Sequence, residues 1–213
     1  MNRSELARRL GSLSGFTDPD PGREQYATPS ELAAHLCSLA DLQGDLDRPV
    51  LDLGAGTGIL AIGAALLGAR TVGVELDRGA LATARENARG AGVDERAGWV
   101  LGDATHPPAC EDRPTTVLTN PPFGAQRGNR GADRRFLEAA ARVGTVSYSV
   151  HNEGSREFVD AFAADAGGAV THAFGAELPI DRQFDFHTAD SVTLRAEVFR
   201  IEWDREREGF GIE

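Results

Sequence analysis

The sequence predicts an α/β fold in which a mostly parallel, seven-stranded sheet carries helices on both faces. Three observations predict it. From about residue 50 onward, apolar strand-like runs alternate with helical segments in a regular order. The first strand passes into the first helix of this region through a glycine-rich loop, Gly54-Ala55-Gly56-Thr57-Gly58. Two further strand-like runs near the end, around Ala169 to Glu177 and Val192 to Trp203, bring the count of strands to seven.

Each element has a local signal. Ser4 to Leu13 places Leu6, Leu10 and Leu13 on one helical face, and the proline-rich run Thr17 to Gly22 breaks that helix. Thr28 followed three residues later by Glu31 reads as a capping box, with Pro29 at the first position of a helix running to about Leu42. Val50 to Leu53 is the first strand, Ile59 to Leu67 a helix, Thr71 to Asp77 a strand with its end, and Gly79 to Arg89 a helix. Strands follow at Ala97 to Leu101 and Thr115 to Thr119, with a short proline-containing connection between them where little helix is expected. Ala132 to Arg142 and Ser155 to Ala166 are helices flanking a strand from Gly144 to Val150. At 213 residues and 41% hydrophobic composition the chain can bury one sizeable core. A single domain over 1–213 is expected, with 1–45 as a helical cover on a core formed by 46–213.

The glycine unit reads as a nucleoside site. Its spacing is Gly-x-Gly-x-Gly, which misses the dinucleotide fingerprint Gly-x-Gly-x-x-Gly. Glu75, at the end of the second strand and followed by Leu76, stands where a carboxylate accepts from both hydroxyls of a ribose. Asp52 inside the first strand would repel a pyrophosphate but tolerates a ligand with an amino group and a sulfonium, which favours S-adenosylmethionine over NAD. Asp103, at the end of the third strand and before Ala104, can accept from the exocyclic amine of the cofactor's adenine.

Asn120-Pro121-Pro122-Phe123 closes the fourth strand and carries the chemistry expected of the chain. The asparagine offers one acceptor and two donors, and the prolines hold their backbone rigid without adding N–H groups. Carbonyl oxygens can thus face an amine without competition, while Phe123 supplies a stacking face. Such a tetrapeptide grips a planar ring bearing an amino group.

Composition narrows the class. The chain has 33 acidic residues against 22 basic ones, every one of the latter arginine, for a net charge of −11. Strong negative charge keeps a chain soluble when salt screens charges, so a high-salt cytoplasm is expected, with a GC-rich genome as the other explanation of the missing lysine. Against this background Arg127, Arg130, Arg134 and Arg135 cluster directly after Phe123, giving either a basic lip for a nucleic acid or a solvated loop and helix face. Cys37 and Cys110 form no Cys-x-x-Cys pair, so neither a disulfide framework nor a metal site is expected. No segment reaches the ~20 apolar residues of a membrane span and the start lacks a signal peptide's apolar run, so a cytoplasmic protein is expected.

Taken in order, Glu24-Gln25-Tyr26-Ala27-Thr28, Asp52 to Gly58, Asn120 to Gly124, Tyr148-Ser149-Val150-His151 and Phe186-His187 resemble the methyltransferase-like-five group of rRNA adenine-N6 methyltransferases and their archaeal relatives. The resemblance covers Leu6 to Glu202. It implies a Rossmann-like class I methyltransferase with an antiparallel last strand, using S-adenosylmethionine to methylate an adenosine of RNA, most specifically of small-subunit rRNA. By this resemblance Gln25, Tyr26 and Thr28 close over the cofactor. Gly54, Gly56, Thr57 and Gly58 line it, Glu75 and Leu76 hold its ribose, and Asp103, Ala104 and Asn120 complete its site.

The target side is assigned Phe123, Arg127, Arg130, His151, Phe186 and His187, while for Tyr148, Phe184 and the histidines a pocket rim and ordinary packing both stay open. Thr57 stands where eukaryotic members have cysteine, and Asn152 and Thr188 stand where they have basic residues, so RNA contacts of those residues do not transfer. A small zinc-binding activator subunit is the partner the resemblance implies. Two other functions remain open: methylation of a glutamine side chain in a protein, since a planar amide poses the same hydrogen-bonding problem, and a non-catalytic module that binds S-adenosylmethionine.

Overall fold

The computed structural model describes residues 1–20, 25–109, 113–122, 131–180 and 192–204. Two helices precede the sheet: α1 (Arg3–Leu10), capped by the Asn2 carboxamide on Glu5 N at 2.9 Å, and α2 (Ser30–Leu42). The capping box expected of Thr28 and Glu31 does not form. Pro29 occupies the cap position of α2, one residue beyond Thr28, and its ring offers no side-chain acceptor, so the helix has no side-chain cap; the Thr28 hydroxyl meets Asn120 instead. After a 3-10 turn (Asp45–Asp47), the chain alternates β1 (Val50–Leu53), α3 (Ile59–Leu66), β2 (Thr71–Glu75), α4 (Arg78–Ala91) and β3 (Ala97–Leu101). Then come β4 (Thr116–Thr119), α5 (Ala132–Val143), β5 (Val146–Asn152), α6 (Arg156–Asp165), β6 (Gly168–Ile180) and β7 (Val192–Trp203).

The seven strands form one sheet in the order β3-β2-β1-β4-β5-β7-β6. All neighbours are parallel except β7, which runs antiparallel to both β5 and β6. Side-chain alternation across the strands divides the core in two. Val50, Leu118, Tyr148, Val150 and Val198 face α1, α2 and α3, whereas Leu51, Leu53, Val117, Phe199 and Ile201 face α5 and α6. Helices therefore cover both faces.

A buried polar knot ties the segment before β1 to the far side of the sheet. Asp45, 1% exposed, accepts from Tyr148 Oη at 2.7 Å and from Arg200 Nε and Nη2 at 2.8 and 3.2 Å. Arg200 Nη1 also donates to Thr171 Oγ1 and Glu202 Oε1, both at 2.6 Å. Burial and the Asp45 carboxylate hold the Tyr148 phenol well above its ordinary range.

Where β1 is flanked by β2 on one side and β4 on the other, the order of the sheet reverses, and in open parallel sheets the crevice beyond the strand ends at such a point receives the ligand. Among the described residues no helix is long and apolar enough to cross a membrane.

Candidate active site

Four strand ends deliver the site. Gly54 follows β1, Glu75 ends β2, Asp103 is the second residue after β3, and Asn120 follows β4 directly. The ends of β1 and β4 are pinned together by Thr119 Oγ1, which donates to Leu53 O at 2.8 Å. Gly54 and Ala55 both donate their N–H to Val74 O, at 2.9 and 3.0 Å, so the loop folds back over β2.

The glycines of this loop have distinct tasks. Gly54 and Gly56 adopt positive φ, and a Cβ on either would meet an aromatic ring at 3.0 Å, that of Phe136 and of Phe16 respectively. Gly58, at φ 90°, is the cap residue of α3 and is backed by Trp99, so it shapes the turn from behind and does not line the cleft.

Glu75 fixes the loop through both carboxylate oxygens. Oε2 accepts from Gly56 N and Oε1 from Asp77 N, each at 2.8 Å. A carboxylate oxygen has a second lone pair, so both remain able to accept from a ribose. Asp77 in turn caps α4 by accepting from Ala80 N at 2.8 Å.

Asp52 differs from its expected role. It is 1% exposed, lies outside the cleft lining, and its Oδ2 accepts from Ala61 N at 2.9 Å. Ala61 is in the first turn of α3, whose own cap residue is a glycine without a side chain, so Asp52 supplies from β1 the helix cap that the loop lacks. Burial, opposed by that hydrogen bond and aided by the nearby Glu75 charge, raises its pKa to about 7. Through this contact it acts on the geometry of the loop and of α3.

Of the residues singled out from the sequence, Gln25, Tyr26 and Thr28 of the N-terminal segment line one cleft with Gly54, Gly56 and Thr57 of the loop. Glu75 and Leu76, Asp103 and Ala104, and Asn120 and Pro122 complete it from the other strand ends. Asp103 is exposed, and its carboxylate accepts from the Thr105 hydroxyl and backbone N–H at 2.7 and 2.8 Å and lies 3.3 Å from His106 Nδ1. Those hydrogen bonds, Thr105 foremost, lower its pKa and keep it an ionised acceptor.

At the end of β4, Asn120 Nδ2 donates to Thr28 Oγ1 at 2.9 Å, while Asn120 Oδ1 is buried with no hydrogen-bond partner among the described residues. An unpartnered buried amide oxygen is costly, and at a cleft it marks the place of an absent donor. Pro121 is buried behind it and Pro122 faces the cleft.

A family model described as the methyltransferase small domain matches residues 33–147, more than half of the chain. The chain belongs to this methyltransferase family. The rRNA N(6)-adenosine-methyltransferase Mettl5 of Drosophila melanogaster is 35% identical over 207 residues, covering 93% of this chain and 95% of its own. The rRNA N(6)-adenosine-methyltransferase of Danio rerio is 32% identical over 217 residues, covering 94% and 99%. The crystal structure of a candidate RNA methyltransferase from Pyrococcus horikoshii superposes with a TM-score of 0.86 at 35% identity, covering 95% of this chain and 98% of that one.

The methyltransferase uses S-adenosylmethionine, and its cleft fits that group: a glycine cradle that a Cβ would fill and, at the end of β2, a carboxylate with lone pairs free to accept from hydroxyls. His151 departs from its assignment. Expected on a target-side rim, it is buried at 2% exposure on β5, with Nε2 2.9 Å from Ser149 Oγ and its ring edge-on to Phe199. Burial lowers its pKa to about 4, so it is a neutral core residue of the methyltransferase. Tyr148 packs in the buried knot described above. Phe123, Arg127, Arg130, Phe184, Phe186 and His187 lie outside the described residues.

Sequence reasoning missed Phe16 and Phe136 among the cleft residues. Phe136 sits on the buried face of α5 with Ala139, Ala140 and Val143, which reads as plain core. Phe16 stands alone between Gly15 and Thr17 without periodicity, and only the fold brings it over Gly56.

Proposed function

We infer that this methyltransferase transfers a methyl group to the exocyclic N6 amine of an adenosine in ribosomal RNA, that of the small subunit. The observation that carries the reading is Asn120 Oδ1, buried and without a partner among the described residues at the end of β4 beside the cofactor cleft. S-adenosylmethionine, when bound, supplies a methyl group already activated by its sulfonium charge. An adenine amine is a weak nucleophile because its lone pair is delocalised into the ring. Asn120 Oδ1 and the Pro121 carbonyl, accepting from the two amine hydrogens, draw that nitrogen toward tetrahedral geometry and free the lone pair to aim at the methyl. The nitrogen–carbon bond forms as the sulfur–carbon bond breaks, and the amine then loses one proton to solvent. Phe123 is assigned the stacking face for an unpaired or flipped adenine.

The resemblances of the whole chain to two rRNA N6-adenosine methyltransferases support the choice of ribosomal RNA. We read residues 1–213 as one cytoplasmic domain, 1–45 covering the cofactor and 46–213 forming the core. The partner by resemblance is a small zinc-binding activator. β3 is an outer strand, and Val72 and Leu101 are exposed near it, which supports a docking edge there. A fully active monomer in size-exclusion chromatography with light scattering refutes an obligate partner.

The deciding experiment incubates the purified protein with methyl-labelled S-adenosylmethionine and unmodified ribosomal particles, then digests the RNA to nucleosides. Label in N6-methyladenosine is the expected result. Label in protein points instead to glutamine methylation, and label nowhere to a binding module.

A further inference from the structure

Phe16 is one wall of the cofactor cleft, yet it stands on the strap that follows α1, outside any helix or strand. What fixes the strap is a buried carboxamide on another element. Asn87, on α4 and 6% exposed, accepts from Ser14 N through Oδ1 at 2.9 Å. Its Nδ2 donates to Ser14 O at 2.9 Å and to Thr57 O at 3.0 Å. The acceptor and both N–H groups of the amide are thus used. Turned over, the amide would set its oxygen against two carbonyls and its NH2 against an N–H, so the network admits a single orientation.

Two of these contacts treat Ser14 as a neighbouring strand would, engaging its N–H and C=O together, and the third reaches the glycine loop. A further tie lies where the strap leaves α1: Arg9 Nη2 donates to Ala91 O, at the end of α4, at 2.8 Å. α4 therefore anchors the strap twice, and Asn87 joins it to the loop. Two residues beyond Ser14 the Phe16 ring lies over Gly56, where a Cβ would meet its Cζ at 3.0 Å. Gly56 N is also the donor that Glu75 Oε2 holds at 2.8 Å, so the ring closes over the loop beside the carboxylate that ends β2.

We propose that Asn87 is a positioning residue for S-adenosylmethionine: it fastens the strap to the glycine loop, so that Phe16 stands as a preformed wall of the cofactor site. Asn87 does not itself line the cleft, and it acts through Phe16. Ser14 is exposed, and without the clamp each cofactor molecule would have to order the strap and its ring on binding. The inference concerns the cofactor and is independent of which amine receives the methyl group.

The test is calorimetric titration of the full-length protein with S-adenosylmethionine, below the thermal transition of each variant. Asn87→Leu keeps nearly the same volume and removes all three hydrogen bonds, and it is expected to weaken binding roughly tenfold, the scale of an ordered side chain and loop set free. Ser14→Pro breaks the same clamp from the exposed strap by removing the N–H that Oδ1 accepts, and is expected to weaken binding by roughly threefold or more. Phe16→Ala removes the wall and is expected to cost roughly tenfold by itself.

The double variant separates positioning from support of the fold. With Phe16→Ala already in place, adding Asn87→Leu is expected to weaken binding by less than about threefold further, since no ring is left to position. A purely structural Asn87 would lower the melting temperature in both backgrounds and leave the affinity of the folded protein unmoved. Three outcomes overturn the proposal: Asn87→Leu binding the cofactor at unchanged affinity, Phe16→Ala doing so, or the full cost of Asn87→Leu persisting without the ring. If Asn87→Leu does not fold, the same cycle run with Ser14→Pro and Phe16→Ala decides by the same criteria.

Discussion

Replacing Asp45 by alanine removes the acceptor at the centre of the buried knot and leaves Arg200, 6% exposed, with a charge it can no longer fully pair. Breaking a buried ion pair from one side costs about 3–5 kcal/mol. Here the lower end applies, because Arg200 Nη1 keeps Thr171 and the half-exposed Glu202, and Nε keeps the Tyr148 hydroxyl at 3.1 Å. A loss of about 3 kcal/mol in a domain of this size corresponds to a melting temperature lowered by roughly 6–12 °C. Urea titration at pH 7 gives the free energy directly, and none of these residues lines the cleft, so S-adenosylmethionine affinity measured below the transition is expected to be unchanged. Replacing both residues, Asp45→Ala with Arg200→Met, removes the stranded charge and is expected to be less damaging than Asp45→Ala alone. A single-variant cost below about 1 kcal/mol, the range of exposed pairs, would falsify the view that the knot excludes water.

Asn120→Ala is expected to abolish methyl transfer while S-adenosylmethionine binding, followed by calorimetry, stays near normal; preserved methylation refutes its role. Glu75→Gln keeps one acceptor and turns an NH2 toward either Gly56 N or Asp77 N. Cofactor affinity is expected to fall roughly tenfold to a hundredfold, the worth of a charge-assisted hydrogen bond, and an unchanged titration contradicts this. Asp52 and His151 give opposing pH dependences. Asp52, raised from 3.8 to about 7, holds a proton in the folded state that the unfolded chain releases, so its contribution to stability falls as pH rises through that window. His151, lowered from 6.5 to about 4, does the reverse, and its contribution falls as pH drops from 6.5 toward 4. The stability of Asp52→Asn relative to the unchanged protein is therefore expected to grow between pH 4 and 7, by up to about 4 kcal/mol, in urea melts at a series of pH values; a flat difference speaks against a buried, protonated Asp52. With a net charge of −11, the melting temperature is also expected to rise from 0.1 M toward roughly 2 M salt, and no rise would remove the high-salt reading.

The strands and the glycine loop were legible because their signals are local. Val50 to Leu53, Thr71 to Glu75 and Ala97 to Leu101 are short apolar runs bounded by glycine or charge, and each was found where expected. Tertiary contacts made the rest invisible. Thr28 satisfies the local pattern of a cap, but Pro29 takes the cap position and the Thr28 hydroxyl accepts from the Asn120 amide 92 residues away. Asp52 looks like a ligand for a cation until α3 is seen to start at a glycine that needs a cap from outside. His151 belongs to a run that looks like a site motif, yet β5 is covered on both faces and leaves the ring no route to solvent. Asp45 and Arg200, 155 residues apart, carry no mutual signal at all.

The placement of β7 between β5 and β6 has a consequence for how the chain is made. β5 and β6 are never bonded to each other; both wait for a strand that comes later in the sequence. During vectorial synthesis the β3-β2-β1-β4-β5 portion, with its four delivering strand ends, can pair before β7 leaves the ribosome, whereas the outer N–H and C=O groups of β5 stay unpaired until then. The interval between β5 and β7 is thus the window in which a nascent chain is most exposed to pairing with the wrong edge, and a chaperone or a pause there would protect it.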